Sequence, residues 1–116
     1  MTESKPPRDA FDELERGKRV RLVLGEVTDE ERRPADPFET EVEWVHSRRD
    51  EADMTITYRA EFAPPEGDDG ADLYYLEMDV PEEGEPDVSA LMAESNDDGE
   101  RTTRRVAAVE RLEVLD

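Results

Sequence analysis

Apolar residues recur at every second position in stretch after stretch of this chain, and no other feature constrains its fold as tightly. A period of two belongs to an extended strand with one face on a core and the other in water. Within residues 19–24, Val20, Leu22 and Leu24 share one face while Arg19 and Arg21 share the other. Within residues 39–48, Val42, Trp44 and His46 alternate with Glu41, Glu43 and Val45. Within residues 54–62, Met54, Ile56, Tyr58, Ala60 and Phe62 alternate with Thr55, Thr57, Arg59 and Glu61. The short polar stretch 49–53 between the last two predicts an antiparallel hairpin with one apolar face. Residues 72–80 put Tyr74, Leu76, Met78 and Val80 together, and residues 88–94 read as a weaker strand. The Asp98-Gly99 step that follows suits a hairpin turn.

The interruptions divide the strands cleanly. Residues 28–38 carry Glu30, Glu31, Arg32, Arg33, Pro34 and Pro37, which pair poorly in a sheet, so this stretch is expected to be a loop. Two further loops are expected at 64–70 and 81–86. At the other period, Phe11 and Leu14 stand three apart between Asp9 as a cap and Gly17 as a stop, which predicts a short helix over 9–16. Residues 101–116 are ambiguous: Val106, Val109 and Leu112 have helical spacing, whereas Thr102, Thr103, Leu112 and Val114 favour a strand. An interrupted strand is preferred, because residues 88–94 need a partner across the Asp98-Gly99 turn. The expected fold is therefore mainly β with a minor α part: about six antiparallel strands curled into a small barrel or roll, with one short N-terminal helix. Residues 1–7 are expected to be a flexible tail and residues 8–116 a single β-rich domain. In pattern alone, with no motif residue carried over, this resembles small barrel domains found in translation and nucleic-acid proteins.

Charge sets the second constraint. The chain has 34 acidic and 15 basic residues in 116, a net charge of −19, and a mean hydropathy of −0.94. Such values ordinarily mark a disordered chain. The bias is specific, however: 20 Glu and 14 Asp stand against 13 Arg and only two Lys, Lys5 and Lys18. This resembles the composition of proteins from extremely halophilic archaea, whose cytoplasm holds molar potassium salt. At about 1 M salt the Debye length is roughly 3 Å, so carboxylates further apart hardly repel, and excluded ions strengthen apolar burial. The resemblance implies a fold that depends on salt. No run is apolar enough to span a membrane, and the first seven residues are polar with Pro6 and Pro7, so a cytoplasmic protein is expected. The absence of cysteine excludes a disulfide framework and any Cys-based zinc site.

Several clusters carry candidate chemistry. Residues 61–100 hold 15 acidic side chains and no Lys or Arg. Solvation in brine accounts for them; the functional alternative is an acidic face for a basic partner, with Glu66, Asp68, Asp69, Asp72, Glu82, Glu83 and Glu85 as members. Tyr75, opposite in parity to Tyr74, would then be an exposed aromatic anchor, for a protein partner or a second copy in a homodimer, unless neighbouring side chains cover it. The arginine pairs Arg32-Arg33, Arg48-Arg49 and Arg104-Arg105 would form a phosphate-contacting surface if the fold joined two of them beside Trp44 or Tyr58. Molar salt removes most of the counterion-release drive for that binding. The acidic turns around Gly70 and Gly99 lack calcium-loop spacing, so no metal site is expected. His46, the lone histidine, would need a nucleophile and an orienting carboxylate to act as a base. No phosphate loop, nucleophile elbow or other cofactor motif is present. The expectation is a non-catalytic domain acting through protein contacts, with nucleic-acid binding second and an enzyme centred on His46 third.

Overall fold

The computed structural model describes residues 10–28, 38–65 and 71–115. Seven antiparallel strands form one sheet: β1 (Arg19–Val27), β2 (Phe38–Asp50), β3 (Thr55–Phe62), β4 (Leu73–Val80), β5 (Asp87–Val88), β6 (Leu91–Asp97) and β7 (Glu100–Val114). Neighbours run in the order β3-β2-β1-β7-β6-β4-β5, and β3 also pairs with β4. That last pairing closes six strands into a ring, the barrel that alternation predicted. Closure leaves fewer unpaired strand edges than an open sheet of the same strands.

β5 is the strand the sequence did not resolve. Residues 88–94 split because β5 and β6 share one edge of β4: β6 pairs with Leu73–Tyr75, and β5 with Met78 and Asp79. Ser89 bridges the break. Its amide donates to the Glu77 carbonyl at 2.8 Å, and its hydroxyl oxygen accepts from the Glu77 amide at 3.0 Å.

Inside the ring the core follows the predicted faces. Val20, Leu22, Leu24, Ala60, Phe62, Tyr74, Leu76 and Met78 are all buried. The Phe38 and Tyr74 rings meet edge to face with centroids 4.9 Å apart. Thr40, a buried polar residue, satisfies its hydroxyl by donating to the Ala63 carbonyl. Phe11 and Leu14 pack onto the same core.

The predicted helix over 9–16 is instead a single 3-10 turn, Phe11–Glu13, without a side-chain cap. Asp9 lies outside the described residues, as do 1–8. A helix this short cannot offset its own nucleation cost. Burial of Leu14 takes precedence, and that residue is extended (φ −76°, ψ 123°). Gly17 then turns with φ +92°, and its amide donates to the Val42 carbonyl at 2.8 Å. The loop predicted over 28–38 lies almost wholly outside the described residues, and Phe38 already belongs to β2.

Residues 100–114 are strand throughout, and bulges explain their helical spacing. Val23 pairs with Arg111 but Leu24 with Val109, which leaves Glu110 as an extra residue; Leu91 pairs with Ala107 but Met92 with Arg105, which leaves Val106 extra. Each bulge shifts the alternation by one. Val109 and Leu112 therefore both face the core three residues apart.

Candidate functional site

A third bulge decides which side chains reach the surface. In the β2–β3 ladder Val42 pairs with Phe62 and Trp44 with Glu61, so Glu43 is the extra residue. The expected face of Val42, Trp44 and His46 is broken at that point. Val42 is buried, but Trp44 and His46 turn outward and Val45 takes the inward position. Trp44 is 48 % exposed and Met54, in the β2–β3 turn at φ 57°, is 38 % exposed; they are the exposed large hydrophobics among the described residues. Both belong to one hairpin. The Arg16 guanidinium lies 5.7 Å from the Trp44 ring centroid. A hollow of about 460 Å³ beside it is lined by Arg16, Gly17, Glu41, Val42 and Glu43.

The same hairpin outruns its neighbour. β1 pairs with β2 only over Phe38–Glu41, and two further backbone bonds tie Val42 and Gly17–Lys18. From Glu43 to Asp50, β2 bonds to β3 on one side. Among the described residues no strand lies on the other side. Glu43, Trp44, His46, Ser47, Arg48, Arg49 and Asp50 are all exposed along it.

A polar network covers the outside of β3, β4 and β6. Ala60 and Phe62 point into the core, so Arg59 and Glu61 point out. The Arg59 guanidinium sits 3.8 Å from the Tyr75 ring centroid, donates through Nε to Glu61 Oε2 at 2.9 Å, and donates through Nη2 to Glu94 Oε2 at 3.3 Å. Arg101 approaches the other oxygen of Glu94 at 3.3 Å, and His46 Nε2 lies 3.9 Å from Glu61 Oε2. Of the two readings of Tyr75, exposed anchor or ring covered by neighbouring side chains, the second holds. Its ring faces outward as alternation requires, yet only 7 % of the residue is exposed because Arg59 lies over it. Burial pushes its phenol above the ordinary value of 10.0, and the positive charge of Arg59 opposes that rise.

The other predicted members fall as follows. Glu66, Asp68, Asp69, Arg32 and Arg33 lie outside the described residues. Asp72 stands at one end of β4, where its carboxylate accepts from the Asn96 amide at 2.6 Å, a structural role. Glu82, Glu83 and Glu85 follow the other end of β4 and are exposed. The structure thus spreads the acidic residues along β4 and does not gather Asp72 with Glu82 and Glu83. Asp79 stands directly opposite Asp87. Arg48 and Arg49 adjoin the β2–β3 turn, whereas Arg104 and Arg105 belong to the β6–β7 hairpin, whose turn lies at the opposite end of the ring. Arg105 Nη1 donates to the Thr28 hydroxyl. These two pairs are not brought together.

His46 has a carboxylate near it, but Ser47 points to the opposite side of the strand. Among the described residues, no group of three His, Asp or Glu side chains converges as a metal site, and no helix is long and apolar enough to cross a membrane. No family model, curated protein or solved structure matches the chain.

Proposed function

We propose that this chain is a non-catalytic barrel that works by binding protein, through the β2–β3 hairpin, in the salt-rich cytoplasm of a halophilic archaeon. One observation carries the reading: Trp44 is half exposed beside a strand edge that no described residue covers. A large aromatic in water is a natural anchor for a partner, and main-chain groups along a free edge offer hydrogen bonds to an added strand. Both contacts act at short range, so concentrated salt leaves them intact while it screens the acidic stripe along β4. That stripe then serves solubility.

Capture of proteins by the immobilised chain in multi-molar KCl tests the reading. Binding that disappears with Trp44→Ala and survives Glu82→Lys with Glu83→Lys is the expected result. Loss through the acidic pair instead would move the contact to the segment between β4 and β5. RNA binding at the same salt, abolished by Arg48→Glu with Arg49→Glu, would favour a nucleic-acid partner for this hairpin.

A further inference from the structure

The β2 edge that the protein-binding reading rests on has a sequence that complements itself, and we propose that its partner is a second copy of this chain, paired antiparallel through residues 43–49. A two-fold antiparallel pair places side chains of like facing opposite one another, so the axis must pass through a residue rather than between two. Three centres bring the exposed stretch together. Centred on Val45, the pair would demand Glu41 and Val42, which the chain's own Lys18 and Arg19 already occupy. Centred on Ser47, it would oppose His46 to Arg48 and Glu43 to Glu51. Centred on His46, it opposes Trp44 to Arg48 of the second copy, twice, and Val45 to Ser47.

The last register uses what the surface offers. Trp44, His46 and Arg48 all lie on the outward side of β2, past the bulge at Glu43. Arg16 stacks near Trp44 from its own chain, and Arg48 of the second copy would add a guanidinium across the strand pair, a favourable cation–π arrangement. Glu43 and Arg49, of opposite charge, become opposite in sequence register. Along β7, the stretch Glu100–Arg105, which pairs with no described strand besides β6, offers no such match: it carries three arginines against one glutamate. Charges along an edge ordinarily prevent pairing. Here they select one register and disfavour its neighbours.

The chain has no cysteine, so one introduced thiol reports the register. His46→Cys places two sulfurs across the axis at a Cα separation within disulfide reach, whereas Arg48→Cys places them several residues apart. With added diamide in multi-molar KCl, His46→Cys is expected to form covalent dimer at least about tenfold faster than Arg48→Cys, because only the former geometry closes a disulfide. Sedimentation of the unmodified protein is expected to show dimer, and Trp44→Ala to raise its dissociation constant about tenfold or more, as loss of a central aromatic anchor does. Equal crosslinking of the two thiols, or a monomer at every concentration, overturns the proposal. A monomer that still captures another protein through Trp44 would overturn only the second-copy partner; a monomer that captures nothing would overturn the protein-binding reading as well.

Discussion

At the residue scale, Arg59 ties the outer faces of three strands together. It spans Glu61 and Glu94 and covers Tyr75. Glu94 is only 8 % exposed, so removal of one of its cationic partners leaves a largely buried carboxylate to Arg101 alone. Arg59→Ala is expected to cost about 1–3 kcal/mol by denaturant unfolding, and Arg59→Lys to recover little, since an ammonium cannot reproduce the planar fork. The same contact has a pH consequence. The folded state keeps Tyr75 protonated where the unfolded chain would ionise it, so the unfolded state binds fewer protons in alkali. Its contribution to stability is complete below the ordinary tyrosine value and declines as pH rises beyond it. Absorbance titration near 295 nm should find one phenol ionising late, and Tyr75→Phe should flatten the alkaline loss of stability. Gly99 supplies the other residue-scale test. With Asp98 at φ 53° and Gly99 at φ +83°, the β6–β7 turn has both central residues left-handed, the hairpin geometry that Asp-Gly favours. Gly99→Ala is expected to lower the unfolding free energy by about 1 kcal/mol through strain, despite open space around it.

At the scale of elements, the strands and their faces were legible wherever the ladder is regular, and misread wherever a bulge changes its phase. Val20, Leu22 and Leu24 lie inward as their alternation requires, and so do Tyr74, Leu76 and Met78. Trp44 does not, because the extra residue at Glu43 reverses the face behind it; an alternation read from single residues contains no mark of that insertion. Glu110 and Val106 have the same effect on β7 and make a strand look helical. Gly25 was one available signal. A Cβ there would meet the Glu110 side chain, its Oε1 at 2.9 Å, so the glycine leaves room for the residue that bulges across from it. The exposed hairpin was illegible for a related reason, since a free edge follows from unequal strand lengths in the closed ring and not from any residue type. Mutations separate the two readings of Trp44. Trp44→Ala in the monomeric barrel should change stability by no more than about 1 kcal/mol, the worth of an exposed cation–π contact, while Phe62→Ala should cost about 3–5 kcal/mol. Comparable losses for both would put Trp44 in the core.

At the scale of the molecule, the barrel solves the problem posed by its own composition only in part. Closure and a continuous core give the chain something to fold around, but the chain still carries a net charge of −19. Along β4 the repulsion is local as well: Asp79 faces Asp87 directly, and the Thr57 hydroxyl donates to Asp79 at 2.8 Å. Like charges in that position are destabilising by a few tenths to about 1 kcal/mol. Asp87→Lys should therefore stabilise the fold in dilute buffer, and its benefit should fade as salt is added. By contrast, Arg21, which donates to Glu39 on β2 and to Glu113 on β7, ties three strands with unlike charges; the Glu39 hydrogen bond chiefly holds its guanidinium above the ordinary value. Balanced and unbalanced neighbourhoods thus coexist on one ring. We propose that this acidic barrel is built for concentrated salt. Unfolding free energy measured across a KCl series, from millimolar to multi-molar, addresses it most directly. β-rich structure that strengthens steeply with salt is the predicted result; a fold equally stable in a few millimolar salt would contradict it.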